Sequence, residues 1–276
     1  MIKYFKLIIE YLFDKRTFLL LALTALIPSV LIGVYMRPME ELFVFFEINE
    51  IRAGTVSFFD MYWRTTGFNN SPVLTFISLF VLLCAITVLV ATIDRHMRIG
   101  ELKFRNPFRR LNENFWVVFP ILLVLIIVKE VFDILALLFV YLWISVTTGT
   151  TTLILMIASF VVVYGVFCLL MSFCVMWIPH TFNTGLSTPK TFSSSVKLAK
   201  GKVLSLTLMI VLPALIISVV NLAGIYFGGV VNMVSSAITY FVLTVYLSVL
   251  IYVAYYDAMG IDREDLKKVN IWKKRI

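Results

Sequence analysis

The sequence predicts an all-α integral membrane protein with six transmembrane helices. They form three repeated units, each a cytoplasmic amphipathic helix followed by a transmembrane hairpin. Long apolar runs punctuate the chain, the polar stretches between them alternate between Lys/Arg-rich and Lys/Arg-poor, and the order of amphipathic helix then hairpin occurs three times. Composition agrees, since 61% of the 276 residues are hydrophobic, only 14% are charged and the mean hydropathy is +0.98. A soluble domain so composed would expose large apolar patches.

About 18 to 20 apolar residues span a hydrocarbon core of about 30 Å. Runs of that kind cover residues 17–35, 73–93, 115 into the 130s, 152–177, 203–222 and 237–256. With no water to satisfy backbone polar groups in a bilayer, these runs are expected as helices, and no period-two alternation supports a barrel. Basic residues set the expected orientation. Residues 1–16 hold four Lys and Arg, 94–114 hold six, 179–203 hold four and the C-terminal tail holds six. The opposite side has Arg37, Arg52 and Arg64, and Lys129 lies within the third run. Both termini are therefore expected in the cytoplasm, in a single membrane domain over residues 1–276.

The first unit covers residues 1–93. Lys3, Lys6, Glu10 and Asp14 fall on one stripe of a short helix and Phe5, Ile8, Ile9 and Leu12 on the other, as in a helix lying in the headgroup layer. The first apolar run is too long for a signal-peptide core and lacks a small-x-small cleavage site after it, so it is read as a retained helix. In the outer loop, residues 36–72, Leu42, Phe43, Phe45, Phe46 and Ile48, with Glu40, Glu41, Glu47 and Glu50 interspersed, predict an amphipathic outer cap.

The second unit covers residues 94–178. Asn106-Pro107 supplies a helix N-cap and a first-turn proline; Phe108, Leu111 and Phe115 then share a face opposite Arg109, Arg110 and Glu113. Lys129, Glu130 and Asp133 interrupt the third run, and ionisable residues at membrane depth form a candidate functional cluster. Spacing of four places Lys129 and Asp133 on one face and directs Glu130 elsewhere. Lys129 lies about 24 Å along the helix from Glu113, near the outer boundary. Beyond Asp133, apolar residues through Trp143 overshoot the bilayer before the turn-forming SVTTGTTT.

The third unit covers residues 179–256. Thr188-Pro189 opens a stretch in which Phe192, Val196 and Val203 oppose Ser193, Ser194, Lys197 and Lys200. Pro213 is expected to kink the fifth run, while Gly224, Gly228 and Gly229 make the final outer turn. The even runs end alike: Asp94-Arg95-His96 with Gly100, Pro179-His180 with Gly185, and Tyr255-Tyr256-Asp257 with Gly260, each glycine stopping a helix. Trp116 and Trp177 mark the inner and Trp143 the outer aromatic belt. Residues 257–276 form a basic cytoplasmic tail.

The net charge of +8 gathers on one face. Lys3, Lys6, Arg109, Arg110, Lys197 and Lys200 are candidate contacts to anionic lipid, each contributing about 1 kcal/mol near such a leaflet. No nucleic-acid motif accompanies these charges, and positive-inside bias accounts for them. Cys84, Cys168 and Cys174 lie in apolar runs as small apolar residues. His96 and His180, at equivalent cytoplasmic ends, lack a third ligand, so no metal and no cofactor are expected. Asp94 and Asp257 are candidate acids without a recognised catalytic constellation, and no Walker, HExxH, GxSxG or dinucleotide motif occurs.

Residues 100–116, GELKFRNPFRRLNENFW, and 192–204, FSSSVKLAKGKVL, each read as a cytoplasmic helix leading into an odd-numbered crossing. In this the chain resembles uncharacterised prokaryotic six-helix membrane proteins, a group that includes the membrane domain fused to some glycerophosphodiester phosphodiesterases. The resemblance implies a membrane module linked to lipid or export functions and carries over no catalytic residue. The expected function is a non-enzymatic, lipid-interacting or export/envelope-complex accessory module of the cell membrane. Its expected partners are anionic lipids, and a membrane protein or a second copy of the chain. The alternative is a transporter or channel for small solutes or ions that uses Lys129, Glu130 and Asp133.

Overall fold

The computed structural model describes residues 2–36, 48–65, 71–100 and 107–266. The outer-loop residues 37–47, the cap at Asn106 and the tail from Lys267 onward lie outside the described residues. No strand occurs among those described. The helices are α1 (Ile2–Leu12), α2 (Lys15–Leu31, continued by a π-helical turn, Ile32–Met36), α3 (Ile48–Arg52), α4 (Phe58–Thr65), α5 (Pro72–Ile99), α6 (Pro107–Val146), α7 (Thr150–Cys174), α8 (Trp177–Thr184), α9 (Thr188–Ala199), α10 (Val203–Phe227) and α11 (Gly229–Met259).

Five helical stretches are long and apolar enough to cross a membrane: Arg16–Tyr35, Pro72–Ile99, Thr150–Thr184, Val203–Asn221 and Gly229–Met259. The third run predicted from sequence falls in α6, which is not among the five. α6 is a continuous helix of 40 residues, about 60 Å long, with its charged cluster in the middle.

Neighbouring helices close a ring in the order α2, α5, α6, α7, α10, α11 and back to α2, and α5 also touches α11. Residues 87–94 of α5 and 252–256 of α11 are buried without interruption, so these two half-helices form the centre of the core. They are mostly apolar, with Thr87, Thr92, Asp94 and the tyrosine hydroxyls as the polar groups enclosed among them. By contrast α7 and α10 turn Ile154, Val161, Val162, Ile216 and Val219 outward. Such a surface suits hydrocarbon as its solvent.

α2 and its π-helical turn pack on α11, and the backbones come closest at Gly33. A Cβ at Gly33 would lie 2.7 Å from the backbone N of Ala237 and 2.7 Å from the carbonyl oxygen of Met233. Gly224 serves a similar end. It lies inside α10, against Ser235 of α11, rather than in the final turn, where Gly228 and Gly229 hold φ of 68° and 49°. Asp14, expected on the polar stripe of α1, instead caps α2 by accepting from the N–H (3.2 Å) and hydroxyl (2.6 Å) of Thr17.

The overhang of α6 beyond Asp133 is covered. Leu137, Val140 and Ile144 pack with Met156 of α7 and with Ile51, Val56 and Met61 of the α3–α4 segment. Arg52 donates to the Thr147 carbonyl at 2.8 Å and fastens that segment to the α6–α7 turn. Of the expected outer cap, Ile48 and Glu50 are described, on α3, while Leu42, Phe43, Phe45 and Phe46 fall outside. Trp143 is no free belt residue, since its indole N–H donates to Ser159 at 2.8 Å.

The Gly33 contact is testable. Gly33→Ala forces backbones apart and is expected to lower stability by about 1–3 kcal/mol, read as a lower thermal midpoint in detergent. Gly165→Ala in α7, where an added methyl meets nothing within 4 Å, is expected to leave the midpoint unchanged or raise stability by about 0.5–1 kcal/mol.

Candidate functional site

Polar chemistry concentrates at the end of the bundle that holds α1, α8 and α9, hereafter the basic end. Its level is set by three glycines. Gly100, Gly185 and Gly260 take left-handed φ of 70°, 64° and 66° and donate their N–H groups to the carbonyls of His96, Thr181 and Tyr256. A residue with a Cβ is strained there, so these positions end α5, α8 and α11 as their sequence pattern predicts.

Asp257, in the last turn of α11, ties three distant segments together. Its carboxylate accepts from Lys3 (2.5 Å), Tyr4 (2.6 Å) and Lys202 (2.5 Å). α1 is thereby pinned against the far end of the chain. Its buried face is Tyr4, Ile8 and Tyr11, and Phe5, expected on the apolar stripe of a helix in the headgroup layer, is exposed. The tyrosines win because their hydroxyls have partners inside: Tyr11 meets His96 Nδ1 at 3.0 Å. Burial, reinforced by the Asp257 hydrogen bond at Tyr4 and the Asp265 charge at Tyr11, holds both phenols above the ordinary tyrosine range. The start of the expected tail also folds back. Arg263 grips Asp265 through two hydrogen bonds (3.2 and 2.6 Å), and its guanidinium lies 5.6 Å from the Tyr11 ring centre.

A cavity of about 250 Å3 opens beside this cluster, between the last turns of α5, the first turns of α6, and α8. α5 contributes Asp94, Arg95 and Arg98, and α6 contributes Arg110, Glu113 and Asn114, spaced to share one face. Asp94 is 3% exposed and receives Arg98 at 3.1 Å. Arg110, expected on the solvated face, is instead 7% exposed and donates to Thr92 at 2.8 Å. Burial, then the like charge of Arg95, pulls its guanidinium below the usual arginine range. Glu113 is matched by Arg109 at 2.7 Å.

α8 and α9 adjoin this region. The buried face of α9 is Thr191, Ser195 and Ala199 rather than Phe192 and Val196, because small residues let α9 sit close to α8. Thr181 and Thr191 hydroxyls meet at 2.8 Å, and His180 Nε2 meets Ser194 at 2.7 Å. Trp177, expected in the inner belt, is buried and donates to the Thr188 carbonyl at 3.0 Å, whereas Trp116 is exposed. The buried side-chain atoms without a hydrogen-bond partner among the described residues are Asp94 Oδ1, His180 Nδ1, Tyr252 Oη, Tyr256 Oη and Arg263 Nη1. All lie at the basic end.

The Lys129 cluster is a different kind of site. Lys129 and Asp133 pair as their spacing predicts, and the second Asp133 oxygen accepts from Tyr164 of α7 at 2.9 Å. Glu130 does not point away: it lies 3.7 Å from Lys129 and accepts from Tyr62 of α4 at 3.3 Å. Asp133 is 1% exposed with both oxygens engaged, whereas the Lys129 and Glu130 side chains keep 43% and 33% of their surface exposed. Of the six predicted lipid contacts, Lys3, Lys6, Arg109, Lys197 and Lys200 remain at the surface and Arg110 does not. Sequence reasoning missed Tyr4, Tyr11, Arg98, Lys202 and Tyr164. The seven-residue spacing of the two tyrosines on α1 was the available signal for those.

No group of three or more His, Cys, Asp or Glu among the described residues is placed to hold a metal ion. No protein family, no curated protein and no solved structure matches the chain.

Two outcomes are expected. Asp257→Ala releases α1, so backbone amides of Tyr4 to Tyr11 exchange hydrogen faster while those of α7 do not change. Asp133→Ala leaves Lys129 and the Tyr164 hydroxyl without their shared acceptor and lowers the thermal midpoint, with a cost of about 1–3 kcal/mol; Tyr164→Phe costs less.

Proposed function

We propose that the chain is a non-enzymatic module of the cell membrane that engages anionic lipids on the leaflet carrying both of its termini. One observation carries this reading. Two of the three short amphipathic stretches at the basic end turn a phenylalanine outward beside a cation, since Phe5 (52% exposed) precedes Lys6 and Phe108 (84%) precedes Arg109; in the third, Phe192 packs on Trp177 with ring centres 4.7 Å apart and keeps 39% of its surface exposed, and Lys197 and Lys200 are exposed. Aromatic rings that enter the acyl boundary while lysines and arginines meet headgroups are the working parts of an interfacial helix.

Six crossings in three units are part of the same proposal. Residues 115–132 of α6 contain 15 aliphatic or aromatic residues and lie between α5 and α7, and antiparallel packing on both supports a sixth crossing. Three glycine caps at one level and the closed helix ring support a threefold plan. So does the docking of the amphipathic segments: α9 rests on α7 and α8, the start of α6 on α5, and α1 closes the cycle on α11. The Lys and Arg bias supports the cytoplasmic leaflet as the one engaged.

The test is lipid composition around the purified protein. In nanodiscs of mixed zwitterionic and phosphatidylglycerol lipid, the bound shell is expected to be enriched in phosphatidylglycerol at low salt and less so at high salt. Replacing Lys6, Lys197 and Lys200 by Gln is expected to cut that enrichment, by up to about fivefold per charge. A shell with the composition of the bulk bilayer refutes the reading. Reporters fused at Met1 and after Ile276 are expected to lie on the same, cytoplasmic side.

A further inference from the structure

The Arg-lined cavity has features that general attraction to a charged leaflet does not require. Three arginines, Arg95, Arg98 and Arg110, line one volume of about 250 Å3. They are brought there by two helices, α5 and α6, that meet at the membrane boundary: the second apolar run ends at Ile93, and Asp94 is the next residue. A planar guanidinium presents paired N–H donors that match phosphate oxygens. Two carboxylates share the lining, and one of them neutralises one of these arginines. Asp94 holds Arg98 at 3.1 Å from a nearly enclosed position, and Glu113 is engaged by Arg109 at 2.7 Å. Arg98 keeps about half of its side-chain surface exposed while so held.

Arg110 is enclosed and has Arg95 as a neighbouring like charge. An anion seated between such groups offsets both their repulsion and their desolvation. The lining also contains Ile99, 48% exposed, and Phe182. These give the lip an apolar side next to its cationic floor. A phosphoryl group joined to an acyl-bearing glycerol needs both surfaces, and an inorganic anion needs only one.

We propose that this cavity binds the phosphoryl group of a membrane lipid, with Arg95, Arg98 and Arg110 as donors and Asp94 as the positioning residue that orients Arg98. The inference rests on the lipid-interacting reading above and narrows it from a charged face to one saturable site.

Delipidated full-length protein in non-ionic detergent is titrated with short-chain phosphatidylglycerol, with inorganic phosphate and with short-chain diacylglycerol. Bound stoichiometry is counted by native mass spectrometry and the thermal midpoint is followed. One phosphatidylglycerol per chain is expected, with a saturable rise in midpoint. Arg98→Gln and Arg95→Gln are each expected to weaken it about tenfold or more, and Arg98→Lys less. Arg95 is exposed, so its variant provides the readout should Arg98→Gln impair folding. Asp94→Asn is expected to weaken binding, with partial recovery at raised lipid concentration. Unchanged affinity in Arg95→Gln and Arg98→Gln overturns the proposal. An equal midpoint rise with inorganic phosphate overturns the lipid as the source of the phosphoryl group, and an equal rise with diacylglycerol overturns the phosphoryl group itself. A wild-type chain that retains salt-sensitive phosphatidylglycerol enrichment in nanodiscs but binds none stoichiometrically disproves the cavity alone; loss of both disproves the lipid reading.

Discussion

A polar side chain surrounded by apolar helices has no water to turn to, and the arrangement of this bundle follows from that constraint. Asp133 engages Lys129 with one oxygen and Tyr164 with the other. Asn221, fully buried between α10 and α11, donates to Thr239 at 3.1 Å and accepts from Ser236 at 3.5 Å. Such bonds contribute about 1 kcal/mol or less each between membrane helices. Their larger effect is on register, because a slip of one residue would strand each group without a partner.

The two ends of the bundle answer the constraint differently. At the end away from the termini, α3 and α4 cover the α6 overhang, and Arg52 and Tyr62 stitch that cover to α6 and its turn. The basic end is less closed. It carries the arginine-lined cavity, the outward phenylalanines and the buried polar atoms that lack a partner among the described residues. A headgroup layer, unlike hydrocarbon, supplies water and phosphate to exposed polar groups. The Asp257 anchor is consistent with that setting, since it joins two lysines and a tyrosine at partial exposure rather than in a sealed core.

Much of the fold was legible because hydrophobic length and glycine stops are local signals. Gly100, Gly185 and Gly260 end their helices in the expected conformation, and the Lys129–Asp133 pair follows from helical spacing alone. The faces of the short helices were less legible. Grouping side chains by hydrophobicity defined apolar stripes containing Phe5, Phe192 and Val196 but not the faces that meet the bundle, where tyrosines with internal hydrogen-bond partners and threonines and serines small enough for close contact are found. Phenylalanine, with no polar group to satisfy, is free to face an apolar solvent. Arg110 was misplaced for a related reason, since its inward partner, Thr92, lies 18 residues earlier on another helix.

By itself the sequence determined an all-helical, lipid-compatible chain with its cations gathered between particular apolar runs, because length, charge and glycine act within a turn or two of the residue that carries them. Only the tertiary structure decided which helices touch, that Lys3, Tyr4 and Lys202 meet on Asp257, and that Arg95, Arg98 and Arg110 surround one cavity. Those outcomes depend on how closely helix backbones approach, at Gly33 and Gly224 above all, and contacts between residues far apart in the chain leave no periodic trace in it.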